Sequence, residues 1–202
     1  MPTINIDKLK EIKEYYQQGL SLREISEKIR ESLDATVYFF RKHKIPRRTA
    51  RENNALQFAK KPLSFKIKTR LSFKEEKLKI AALMLYYGEG AKRGHVVDLA
   101  NSDSSIIRIF LQFLRKICQV DQKRLKVYVY CHSNQKVADI IKYWSMVTKI
   151  HASQFSKPYI RKDYSMKAGR QMVNGLVHIR YNDKKLLIYI LREIENYKEY
   201  FA

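Results

Sequence analysis

The chain is poor in several things at once. It has two cysteines in 202 residues, Cys118 and Cys131, and they do not form a Cys-x-x-Cys pair. That excludes a cysteine zinc site and a disulfide framework, and the two read as free thiols of a reducing cytosol. Four prolines and six glycines exclude a low-complexity or collagen-like chain. The apolar run that begins at Ile80 ends by Gly88, well short of the ~20 residues that span a bilayer. The N-terminus is no signal peptide, so the expected place is the cytoplasm, against the nucleoid, with no membrane partner. His43, His95, His132, His151 and His178 show no His-x-x-x-His spacing, and neither a phosphate-binding glycine loop nor a serine nucleophile elbow is present. Fourteen tyrosines are not accompanied by the Arg-His-Arg arrangement of a tyrosine recombinase. Acid is the scarcest of all: 20 Asp and Glu face 41 Lys and Arg, for a net charge of +21. Such an excess speaks of a polyanionic partner rather than of a fold.

What is present begins with helices. Residues 7–18 carry Leu9, Ile12 and Tyr16 at helical spacing, and Gly19 ends the run. Ser21-Leu-Arg-Glu24 is a Ser-x-x-Glu capping box for a second helix with Ile25 and Ile29 inside. Ser32 caps a third, in which Val37 and Phe40 face inward. This pattern resembles the helix-turn-helix of resolvase-type and transcription-factor DNA-binding modules, with Ile29-Arg30-Glu31-Ser32 as the turn where such modules usually carry Gly. The resemblance implies a third helix in the major groove. Its exposed positions would be residues 34–36, 38, 39, 41 and 42, with Thr36, Tyr38, Arg41 and Lys42 against bases or phosphates. A protein-binding three-helix bundle is the alternative.

Residues 41–74 then hold twelve Lys and Arg against one acid, Glu52. Arg47 and Arg48 leave the third helix and could follow a phosphate backbone or enter a minor groove. Residues 53–68 lack periodicity and contain Pro62. They read as linker, which divides the chain into a helical module (1–48), a basic linker (49–71) and a second domain (72–202).

The second domain opens on another capping box, Ser72-Phe-Lys-Glu75. The helix it starts becomes apolar all round and stops at Gly88-Glu89-Gly90, a pattern expected of a helix buried on every side. Residues 95–101 read as a strand, residues 103–117 as an amphipathic helix, residues 135–148 as another, and residues 186–197 as the last. Residues 124–132 alternate: Leu125, Val127, Val129 and Cys131 on one face, Arg124, Lys126, Tyr128, Tyr130 and His132 on the other. Residues 173–182 place Val177, Ile179 and Tyr181 on one face and His178 and Arg180 on the other. The fold class is therefore α+β, with mixed helices on one face of a small sheet and a basic-aromatic face opposite. Such a face suits phosphate and base contact.

Residues 82–90 resemble the signature helix of the LAGLIDADG homing endonucleases. Glu89 takes the motif's final acidic position, Leu83 and Met84 stand for its usual Ala-Gly, and Tyr87 for its first Asp. The resemblance extends over about residues 72–200. It implies a sheet laid over double-stranded DNA, Glu89 as catalytic residue and metal ligand with Gly88 beside it, and magnesium as cofactor. Two acids are needed at such a centre and the chain holds one signature helix, so a twofold mate would supply the second. The reading is a site-specific, magnesium-dependent DNA endonuclease acting as a homodimer. Its rival is a non-catalytic transcriptional regulator that keeps the fold for DNA binding. RNA binding is left open by charge alone.

Overall fold

A computed structural model describes residues 4–162 and 172–201. The chain divides into two compact units, Met1–Pro62 and Leu63–Ala202.

The first unit is helical. A 3-10 turn, Ile6–Lys8, leads into α1 (Leu9–Gln17). Gly19 takes a positive φ of 89° at the turn that follows, which costs glycine nothing. Helix α2 (Leu22–Ile29) opens on the Ser21–Glu24 capping box, in which both hydrogen bonds are made. It ends at Arg30 in the left-handed region, φ 59°. Ser32 caps α3 (Leu33–Lys42) by accepting from the Ala35 amide. Ile12, Ile25, Ile29, Phe39, Phe40 and Ile45 close the core, with Ile4 beside them.

The phase of α3 differs from the expected one. Thr36 and Phe39 are buried and Val37 is half-buried. Turning both Phe39 and Phe40 inward removes more apolar surface from water than Val37 with Phe40 would. Thr36 is tolerable inside because its hydroxyl donates to the Ser32 carbonyl at 3.0 Å.

The expected linker, residues 49–71, contains regular structure, and the division between the units falls within it. Residues 50–60 form α4 (Ala50–Lys60), opened by a capping box between Thr49 and Glu52. No residue of α4 is buried, which is why no hydrophobic period marks it. Lys60 pairs with Glu24 at 3.1 Å, and Gln57 donates to the same carboxylate at 3.4 Å. Residues 63–71 belong instead to the second unit. The Lys66 and Lys68 amides donate to the Cys118 and Ile117 carbonyls at 3.1 and 2.8 Å, and Phe65, Ile67 and Leu71 pack on its core.

That second unit is α+β. Its strands are β1 (Val97–Asn101), β2 (Leu125–His132), β3 (Tyr159–Arg161) and β4 (Leu176–Tyr181). The order is β1-β4-β2-β3. Strand β4 lies antiparallel between β1 and β2, and β3 runs parallel to β2 at the edge. Strand β3 has no hydrophobic alternation; all three of its residues are exposed. Helices α5 (Phe73–Glu89), α6 (Ser104–Lys116), α7 (Val137–Thr148) and α8 (Lys184–Phe201) supply the other wall of the core. Their Leu83, Phe110, Trp144 and Ile190 meet Leu99, Val127, Val129 and Ile179 of the sheet.

Helix α5 is not buried on every side. Ala82, Leu83 and Tyr86 face the core. Phe73, Ile80, Met84 and Tyr87 form a stripe on the opposite side, and all four are exposed. Lys79 and Glu193 tie α5 to α8 at 2.6 Å.

Candidate nucleic-acid interface

Two basic surfaces arise, one in each unit. In the first, Tyr38, Arg41 and Lys42 stand exposed on α3 and Arg47 on the segment that follows. Thr36 does not join them, because its side chain is in the core. Arg48 does not either. Its guanidinium donates to the Leu20 carbonyl at 3.0 Å and to the Tyr16 carbonyl, and lies 3.8 Å over the Tyr16 ring. Its amide donates to the Tyr16 hydroxyl at 2.6 Å. Arg48 is a latch that closes residues 45–48 onto α1, and its charge is spent on carbonyls of its own unit.

In the second unit the strand register gathers side chains from distant sequence. Lys126, Tyr128, Tyr130 and His132 of β2 share the outer sheet face with His178 and Arg180 of β4, as their alternation predicts. Arg124 falls outside the strand, in a 3-10 turn, Gln122–Arg124. It donates to the Asn182 carbonyl at 2.7 Å and sits 5.1 Å over the Tyr181 ring, so it pins the end of β4 rather than facing outward with Lys126.

Three further residues complete this face, and sequence reasoning missed them. Asp98 of β1 stands opposite Arg180. It accepts from Arg180 Nε at 2.6 Å and lies 2.9 Å from His178 Nδ1. Half-burial pushes its carboxyl up, but His178 and Arg180 outweigh that, and the net position is below the ordinary carboxylate range. Tyr159 and Arg161 of β3 pair with Tyr130 and His132 and share their side of the sheet. The aromatic groups form a row across three strands. The Tyr130 ring is 4.7 Å from that of His178 and 5.2 Å from that of Tyr159. Arg180 lies 4.2 Å over the Tyr128 ring.

The end of α5 is stitched to β1. Gly90 bridges Leu99, the Ala91 amide donates to the Asp98 carbonyl at 2.9 Å, and the Tyr86 hydroxyl donates to the Ala91 carbonyl at 2.6 Å. The two glycines flanking Glu89 have different reasons. A Cβ at Gly90 would lie 2.5 Å from the Tyr86 ring, so only glycine fits. A Cβ at Gly88 would meet nothing within 4 Å. Nothing in this chain requires glycine there, although glycine costs a helix about 1 kcal/mol relative to alanine. Glu89, the last residue of α5, is exposed. Among the described residues no three His, Cys, Asp or Glu side chains gather as ligands of a metal ion.

Among the described residues, no helix is long and apolar enough to cross a membrane. No known family model, curated protein or solved structure matches this chain.

Proposed function

We propose that the protein is a sequence-specific binder of double-stranded DNA that works as a homodimer and cuts its target at a paired Glu89 centre. The observation that carries the DNA reading is the outer sheet face, where Lys126, Tyr128, Tyr130, His132, His178 and Arg180 converge in a chain of charge +21. Helices α2 and α3 act as the helix-turn-helix, with Tyr38, Arg41 and Lys42 toward the groove and Arg47 on phosphate. Arg30 takes the left-handed turn position that such modules usually give to glycine.

The homodimer is supported by the uncovered stripe of Phe73, Ile80, Met84 and Tyr87 on α5 and by the open space at Gly88. A second α5 laid on that stripe removes it from water, and glycine permits close helix approach. The endonuclease reading requires in addition that two Glu89 carboxylates, each at the C-terminal end of its α5, meet at one place. Carboxylate oxygens are the donors a hard divalent cation takes, and magnesium held there would stabilise charge on a cleaved phosphodiester.

The second reading, a regulator that binds without cutting, is favoured by the ligand count: among the described residues no three His, Cys, Asp or Glu side chains gather at Glu89 or elsewhere. Glu89→Gln separates the two on a plasmid library, with and without magnesium. On the endonuclease reading the wild type cuts with magnesium and the variant does not, while both bind DNA alike. A wild type that binds DNA yet never cuts leaves the regulator. Cutting that survives the substitution removes Glu89 from the site.

A further inference from the structure

The row of rings on the sheet has a geometry suited to the faces of bases rather than to their edges. Duplex bases show a protein only their edges, which are read by side chains that reach into a groove with donors and acceptors. An exposed aromatic ring offers a stacking surface, and stacking needs a base that has left its partner. Tyr159 is 60% exposed on the edge strand, with one neighbour in the row, Tyr130. The planes of Tyr130 and Tyr159 meet at 44°, so the two rings are tilted against each other and not stacked face to face. The simplest explanation of cross-strand aromatics is sheet stability. It accounts for Tyr130, which is half-buried between His178 and Tyr159. It does not account for Tyr159, which leaves most of its surface in water. Cations flank the row on the same face: Arg161 beyond Tyr159 and Lys126 beyond Tyr128. That is the combination of a stacking platform and backbone charge found where proteins hold single strands.

We infer that the Tyr130–Tyr159–His178 row of the sheet holds unpaired bases of single-stranded DNA, with Lys126 and Arg161 on the phosphates to either side. The inference rests on the DNA reading of the sheet, not on cleavage. It adds that this part of the face takes nucleotides that have left the duplex. Tyr159 is the outermost platform and the residue whose ring does most.

The test uses the full chain and a single-stranded DNA of about twelve nucleotides, within the span such sites cover, carrying a central 2-aminopurine. The same sequence as duplex DNA and as single-stranded RNA forms the comparison. Stacking is expected to quench the 2-aminopurine emission. Tyr159→Ala should weaken single-strand binding about 5- to 150-fold, the worth of one stacked base, and change duplex binding less than about twofold. Its salt dependence should be unchanged, because a stacked base releases no counterions. Tyr159→Phe keeps the ring and should bind as the wild type does. The inference is overturned if Phe and Ala lose binding equally, if single strand and duplex weaken alike, or if no quenching occurs. RNA bound more than about tenfold tighter than DNA overturns the assignment to DNA. A protein that binds duplex normally and ignores the single strand sinks this inference alone. One that quenches and needs the Tyr159 ring but never binds duplex supports it and sinks the duplex reading.

Discussion

Asp98 pairs with two basic side chains of the sheet's outer face, His178 and Arg180, and its removal should act in opposite directions on stability and on binding. Asp98→Asn keeps the shape and deletes the charge that holds Arg180 and His178. An exposed ion pair is worth about 0–1 kcal/mol, and breaking a fully buried one costs about 3–5 kcal/mol. The Asp98 side chain keeps 17% of its exposure and that of Arg180 28%, so the loss should be about 2 kcal/mol. At about 2–4 °C per kcal/mol for a chain of this size, the melting temperature should fall by about 4–8 °C. DNA affinity should nevertheless rise, because Arg180 becomes available to phosphate. One more contact steepens the log-log salt dependence by about 0.9. The stability cost should also depend on pH. The folded carboxyl lies below its unfolded value, which is about 3.9. Its contribution is full above that value and is lost as pH falls through the folded one. Wild type and variant should therefore converge below about pH 4. Thermal unfolding followed by circular dichroism and fluorescence anisotropy across a salt series measure both arms. A variant that melts lower and binds more weakly with an unchanged slope would refute the reasoning, since Asp98 would then be supporting the face instead of restraining it.

Two other outcomes follow from the same geometry. Replacing Arg41 and Arg47 together by Ala should flatten the salt slope for duplex DNA by about two, whereas Arg48→Ala should lower the stability of the first unit and leave the slope nearly as it was; salt titrations of both variants decide. Gly90→Ala should be strongly destabilising, because its Cβ would meet the Tyr86 ring at 2.5 Å. Gly88→Ala should stabilise the isolated chain by up to about 1 kcal/mol and weaken self-association, which sedimentation at several concentrations would show.

The helical starts were the most legible part of the sequence. Ser21–Glu24 and Ser72–Glu75 announce α2 and α5 because a capping box is a local device, written within four residues. The same device at Thr49–Glu52 opens α4, and it is hidden only by the lack of an apolar stripe behind it. Strand β2 was legible because one of its faces is buried throughout. Strand β3 was not, since three exposed residues gain their strand character from pairing with Tyr130, Cys131 and His132. The candidate site divides in the same way. Lys126 and Arg180 follow from alternation, while Asp98 and Tyr159 come to the face through register, which no local pattern records. Arg48 and Arg124 read like Arg47 in sequence, yet the carbonyls that hold them lie at Tyr16, Leu20 and Asn182. The exposed stripe of α5 misled because composition counts apolar residues without saying which of them meet a partner.

The strand order also constrains how this protein can be made. Strand β4 is last in sequence and lies between β1 and β2 in space. Among the described residues, until residue 176 has left the ribosome β1 has no strand to pair with, and β2 has the three residues of β3 and the bridge from Val127 to Phe155. A nascent chain thus carries Val97, Leu99, Val127 and Val129 for most of its synthesis with the sheet's centre missing. Pairings of such long sequence separation form slowly, and unpaired apolar strands are prone to aggregate while they wait. The second unit is therefore a late, nearly all-or-none folding event, whereas α1–α3, closed by contacts within the first 48 residues, can be complete long before it.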